Sequence, residues 1–164
     1  WCILVLVAMQ RLLELVKAER NTARLLARGA REIAPGHYPL IVAVHALWLI
    51  ALMIRVLVHP AMINGGCLAL YVVVQAMRLW TPASLGPYWT TRIITLPGAP
   101  LVRRGPYRFL RHPNYVVVAL ALALLPLALG VWPLAVVFSI LNALVLRIRL
   151  KAENAALAER ALQA

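Results

Sequence analysis

Gly105-Pro106-Tyr107-Arg108-Phe109-Leu110-Arg111-His112-Pro113-Asn114-Tyr115 runs directly into the apolar Val116-Val117-Val118. Two prolines and a glycine prevent one uninterrupted helix through it. The stretch carries two arginines, a histidine and two tyrosines on irregular backbone, at the mouth of a hydrophobic helix. That is where a membrane protein would meet a charged, water-soluble ligand. The remaining apolar segments then read as a lipid-facing enclosure around it.

Composition points the same way. The chain is 63% hydrophobic with mean hydropathy +0.83, well above the apolar share of a soluble domain. A net charge of +12 would raise nucleic-acid binding in a soluble protein. Here the bases fall between apolar runs rather than along one basic arm with interleaved aromatics, so no nucleic-acid partner is expected. Cys2 and Cys67 have no metal-ligand spacing, and neither a metal nor a disulfide framework is indicated. The first residue is Trp1, which implies that native residues precede it. With no basic region before residues 1–16 and no small-residue cleavage site after them, they do not read as a signal peptide.

Taken in order, Trp1–Val16 is an apolar span interrupted by Gln10, Arg11 and Glu14, the last two placed to pair three residues apart. Lys17–His37 is amphipathic and is expected at the membrane interface. Tyr38–Val58 and Ala61–Trp80 are the second and third spans. Thr81–Asn114 is a long polar connection punctuated by six prolines. Tyr115–Leu129 and Trp132–Arg147 follow as a helical hairpin, and Ile148–Ala164 as a polar, cytoplasmic C-terminal helix. The expected fold is therefore all-α, one membrane-embedded domain over 1–164 with five transmembrane helices. Residues 1–80 supply three spans and the interfacial segment; residues 81–164 supply the polar loop, the hairpin and the C-terminal helix.

The basic residues define the sidedness. Five lie in 17–37, six in 78–114 and four in 147–164, whereas the linkers 59–66 and 129–133 hold none. Because Lys and Arg concentrate in cytoplasmic loops, the N-terminus is expected outside and the C-terminus in the cytoplasm. A fifteen-residue helix rises only about 22 Å against a hydrocarbon core of roughly 30 Å. The hairpin is thus expected either to be buried against its neighbours or to extend into its flanks. This topology brings Gly105–Tyr115 and Arg149–Glu153 to one end of an antiparallel hairpin, where residues about forty apart in sequence can share a pocket.

Arg111-His112-Pro113-Asn114-Tyr115 reads either as a polar clamp for a charged small molecule or as a basic, aromatic interface belt. Arg149 and Glu153, four apart, share a helix face and read either as a second half of that clamp or as a surface ion pair. For His45 and Asn142, a helix-to-helix hydrogen bond is the expected role. Trp48, Trp80, Trp89 and Trp132 read as belt or core. No nucleophile–base pair, metal cluster or phosphate-cradling loop is present in the sequence. A reaction that needs only positioning and electrostatics remains open.

The 105–115 motif, two apolar segments, and then Arg149-x-x-x-Glu153-Asn154-x-x-Leu157 together resemble the isoprenylcysteine carboxyl methyltransferase family and its phospholipid methyltransferase relatives. The resemblance covers roughly residues 92–157. Upstream, Arg11-Leu12 through Asn21, Arg28-Gly29, Glu32, His37-Tyr38-Pro39 and His45 look like a bacterial branch that O-methylates alkylpyrone or alkylresorcinol-type lipids. The resemblance implies an integral membrane enzyme using S-adenosylmethionine, with S-adenosylhomocysteine as product, in the bacterial inner membrane. It implies that Arg92, Leu101, Val102, Tyr107, Arg111, His112, Pro113, Asn114 and Tyr115 bind the cofactor. Glu153 would hold the cofactor's amino group and Arg149 would face a lipophilic acceptor. Asn154 stands where the family often has a second Glu, and Ala99-Pro100 where eukaryotic members have His-Thr. Methylation of an acceptor oxygen is the expected reaction; N-methylation of a phospholipid amine and a non-catalytic lipid-binding scaffold are the alternatives.

Overall fold

The computed structural model describes residues 1–99 and 102–162. Five helices carry the fold: α1 Cys2–Leu26, α2 Tyr38–Val58, α3 Gly65–Leu85, α4 Pro113–Ala128 and α5 Trp132–Leu162. Three segments, Tyr38–Val58, Gly65–Tyr88 and Trp132–Ala155, are long and apolar enough to cross a membrane, and α4 is a shorter apolar helix. The chain is an all-α integral membrane protein. A two-residue strand pair, β1 Arg31–Glu32 with β2 Ile94–Thr95, is an addition that the sequence analysis did not contain.

Three expected boundaries are corrected. The third span is α3 Gly65–Leu85, not Ala61–Trp80, because Asn64 caps it by accepting the Cys67 amide at 3.0 Å and Pro82 is accommodated in its last turns, so Thr81–Leu85 belongs to the helix and not to the polar connection. The interfacial segment does not begin a new element at Lys17, because α1 runs unbroken from Cys2 to Leu26. The change from apolar to charged residues there alters what the helix faces, but nothing in Val16-Lys17-Ala18-Glu19 breaks it. The helix ends where Gly29 takes φ +87 and the Ala30 amide reaches back to the Leu25 carbonyl at 3.1 Å. Likewise the C-terminal helix is not separate: α5 continues past Arg147 to Leu162 through the helix-favouring Lys151-Ala152-Glu153. Tyr38–Val58 coincides with the expected second span.

The core is built around α4. Val117, Val118, Ala121, Leu122 and Leu125 are buried against Val74 of α3, Trp48 and Leu52 of α2 and Phe138 of α5. The Trp48 indole donates to the Leu122 carbonyl at 3.2 Å, so this tryptophan is core rather than belt. In a bilayer, apolar burial alone does not hold helices together, so close fit at small residues such as the fully buried Ala121 matters most. Burial on most faces lets α4 be short, and α5 meets the length requirement by extending.

The uncharged linkers meet at one end. The Asn64 amide donates to the Ala128 carbonyl at 2.9 Å, and Gly130 (φ +72) lies so close to Met62 that a Cβ there would come within 2.9 Å of its carbonyl oxygen. The basic segments gather at the other end. There Arg31 pairs with Thr95 and Glu32 with Ile94, and Asn21 of α1 donates to the carbonyls of Gly86 (3.2 Å) and Trp89 (2.9 Å).

Candidate active site

At that basic end the irregular chain is held in place residue by residue. Arg104 Nε donates to the Ser84 carbonyl at 2.7 Å. Gly105 (φ +58) then passes so near Ser84 and Trp80 that an added Cβ would collide with the Ser84 hydroxyl. Pro113 takes the first helical position of α4, where its missing N–H costs nothing. His112, Asn114 and Tyr115 are thereby held at the helix mouth. Continuity of α5 places Arg149 and Glu153 one turn apart, facing them.

Tyr115 is the junction. Its hydroxyl donates to the Glu153 carboxylate and accepts from Arg149 Nε at 2.6 Å. The Arg149 guanidinium carbon lies 5.5 Å from the Tyr115 ring centroid, within cation–π range. His112 stacks on the same ring, with centroids 5.3 Å apart and planes 11° from parallel. The His112 Nε2–H donates to Asn154 Oδ1 at 3.1 Å, and Nδ1 sits 3.6 Å from Glu153 Oε1. The Glu153 carboxylate beside it raises the imidazole pKa above the ordinary histidine value, against an opposing effect of burial. Burial also pushes the Tyr107 phenol up, so it stays protonated. Arg149 is only 7% exposed, and among the described residues its terminal nitrogens make no hydrogen bond.

Tyr107, His112, Tyr115, Arg149 and Glu153 line a cavity of about 530 Å³, with Asn154 behind His112 and outside the lining. Of the residues proposed from sequence, it brings together Arg92, Val102, Tyr107, Arg111, His112, Asn114, Tyr115, Arg149 and Glu153. Pro113 is buried and shapes the helix start instead of lining the cavity. Leu101 lies outside the described residues. Arg92 enters on the 86–99 loop, drawn to Glu32 (3.2 and 3.3 Å) and lying 4.7 Å from the Tyr38 ring centroid.

Sequence reasoning did not find the opposite wall. Tyr88, Trp89, Ile94, Leu96 and Arg103 also line the cavity, and Trp89 is 5% exposed. They stand in a proline-rich connection with no periodicity, and Asn21 and Glu32, distant in sequence, hold that connection in place. His45 differs from expectation too: its Nδ1 bonds the Ile41 carbonyl of its own helix at 2.8 Å instead of another helix.

The S-adenosylmethionine implied by the resemblance fits this donor set. Among the described residues Glu153 is the one carboxylate lining the cavity and suits an ammonium, while arginines suit a carboxylate. Arg92 makes no hydrogen bond through its buried Nε among the described residues and lies 3.9 Å from Glu19 there, so two carboxylates, Glu19 and Glu32, hold its guanidinium at the cavity wall. Among the described residues four arginines against one carboxylate make the cavity lining cationic, which favours a second, anionic occupant.

Comparison with known proteins agrees with the geometry. The chain is 38% identical over 162 residues to "Uncharacterized protein YpbQ" of Bacillus subtilis (strain 168), covering 97% of this chain and 96% of that one. No solved structure matches. Residues 67–159 match the family described as "Isoprenylcysteine carboxyl methyltransferase (ICMT) family". This segment is more than half the chain and contains the whole Tyr115–Arg149–Glu153 junction. The protein therefore belongs to the isoprenylcysteine carboxyl methyltransferase family, and membership implies methyl transfer from S-adenosylmethionine.

Proposed function

We propose that the protein is a five-span, S-adenosylmethionine-dependent methyltransferase. It methylates an oxygen, carboxylate or phenolate/enolate, of a lipophilic acceptor at the cytoplasmic face of the bacterial inner membrane. The observation that carries this reading is Arg149: nearly buried, held through Nε by Tyr115, with its outer nitrogens left to an anion. The basic end supports the cytoplasmic assignment, since Lys and Arg are retained on that side.

S-adenosylmethionine supplies a methyl group on a sulfonium, and the transfer needs no covalent enzyme intermediate. The chain's own residues hold and polarise. Arg149 orients the acceptor oxygen and keeps it ionised, because a guanidinium favours the charged form beside it. Tyr115 fixes Arg149 relative to Glu153, so the anion partner and the cation partner are set by one phenol. Apolar side chains around them exclude water, where attraction between an anionic nucleophile and a cationic centre is strongest. Asn154 in place of a second Glu removes one negative charge beside His112, which further suits an anionic acceptor. An amine acceptor is disfavoured, since an ammonium would be repelled by Arg149.

The test is incubation of the purified protein with methyl-labelled S-adenosylmethionine and four acceptors: alkylpyrone, alkylresorcinol, prenylcysteine and phosphatidylethanolamine. Label is expected on an oxygen acceptor. Label on phosphatidylethanolamine alone would replace this reading with N-methylation, and no label with no binding of S-adenosylhomocysteine would leave a scaffold.

A further inference from the structure

A second cleft lies between α1 and α3, with a volume of about 390 Å³. It falls in the size range of small-molecule sites. Its outer walls are Leu6, Met9 and Leu13 of α1 and Leu79 of α3, each more than half exposed, so the cleft opens sideways toward lipid. Its floor is polar. Arg78 donates through Nε to Glu14 Oε1 at 2.8 Å and through Nη2 to Glu14 Oε2. Gln75 bonds Gln10 at 2.7 Å one turn deeper.

A buried ion pair is costly unless every donor is matched, and here one is not. Arg78 is 7% exposed, and its Nη1 has no hydrogen-bond partner among the described residues. Glu14 is also shared with Arg11 at 3.5 Å, so one carboxylate faces two guanidinium groups. Lys17, exposed and one turn nearer the basic end, adds a third cation at the cleft mouth. Apolar walls, a buried guanidinium with a free donor and a cationic mouth are what an anionic amphiphile requires. We infer that this cleft binds an anionic lipid of the surrounding leaflet, its chain along Leu6, Met9 and Leu13 and its headgroup between Arg78 and Lys17. A zwitterionic lipid would bring its own cation against Lys17. Trp89, whose main-chain carbonyl accepts from Asn21, lines both this cleft and the 530 Å³ cavity and so stands between the two occupants.

The site is tested by native mass spectrometry of the full chain in detergent, loaded with equal amounts of phosphatidylglycerol and phosphatidylcholine of identical chains. The wild type is expected to retain one phosphatidylglycerol with at least about tenfold preference, roughly 1.4 kcal/mol. Lys17→Glu should lower that preference at least fivefold, and Leu13→Trp, which fills the cleft, should lower retention of both lipids. Both positions are exposed, so neither variant endangers the fold. Arg147→Glu, an equal charge change on the exposed face of α5, should leave the preference as in wild type. S-adenosylhomocysteine binding should stay within about twofold in Lys17→Glu, which separates this site from the cofactor cavity. Equal retention of the two lipids by wild type, or equal losses in Lys17→Glu and Arg147→Glu, would overturn the inference.

Discussion

Tyr115 and Glu153, 38 residues apart, are joined by a hydrogen bond in which the phenol donates to the carboxylate. That bond closes the α4–α5 hairpin at its basic end. It also sets the distance between the group suited to an ammonium and Arg149, the group suited to an anion.

Replacing Arg149 by Lys tests the anion side. Lysine keeps the charge but loses the planar fork that bonds Tyr115 through one nitrogen while presenting others. The expected outcome is a fall in kcat/KM for methyl transfer of about a hundredfold or more, the scale of losing one aligned transition-state donor. The Kd for S-adenosylhomocysteine should move by less than about threefold. Near-normal turnover would remove Arg149 from the mechanism.

Tyr115→Phe isolates the hydroxyl. The ring still stacks on His112, but Arg149 and Glu153 lose their common partner. A rate loss of about tenfold, or ~1.4 kcal/mol in the barrier, is expected in a methyl-transfer assay. A variant with unchanged rate would show that the two charged side chains hold their positions independently.

His112 gives the pH dependence. Its pKa is raised in the folded protein, so the folded state binds its proton more tightly than the unfolded state. The stabilisation is therefore complete below the ordinary imidazole value of about 6.5 and is lost as pH rises through the higher folded value. Thermal unfolding in detergent should show wild type ahead of His112→Gln at low pH, with the gap closing above neutrality. In Glu153→Gln the imidazole resonances should titrate at lower pH than in wild type. A gap that widened with pH would mean the histidine is held neutral.

Gly105→Ala should destabilise without altering charge. The residue has φ +58, and a Cβ there would collide with the Ser84 hydroxyl. A cost of about 1–3 kcal/mol is expected, read as a lower Tm. Gly105→Ala with Ser84→Ala should recover only part, because the backbone strain remains.

Asn21→Ala removes the donor to the Gly86 and Trp89 carbonyls. The Gly86 carbonyl still accepts the Trp89 amide at 3.3 Å, but leaving the buried Trp89 carbonyl without a partner costs about 1–3 kcal/mol. Because these carbonyls anchor the cavity wall, the S-adenosylhomocysteine Kd should rise together with the loss in Tm. A lower Tm with unchanged Kd would show that the wall stands without Asn21.

Some of this was legible in the residues alone. Tyr38–Val58 has its ends marked by the apolar run itself, and the structure gives the same bounds. The hairpin was readable from Pro126, Gly130 and Pro133, and the meeting of 105–115 with 149–153 followed from it. Where a helix crosses a change in polarity, reading failed. Lys17 and Ile148 looked like boundaries because charge begins near them, yet neither position contains a breaker and both helices continue.

The sequence by itself determined which segments are helical, which end is basic and which polar residues converge, because helices are closed by bonds four residues apart and hydropathy is a local property. The tertiary structure alone decided the cavity's far wall. Trp89 and Arg92 are placed by Asn21, 68 residues from Trp89, and by Glu32, 60 residues from Arg92. Loop backbone has no repeating bond of its own, so its shape is set by whichever distant donors and acceptors fold against it.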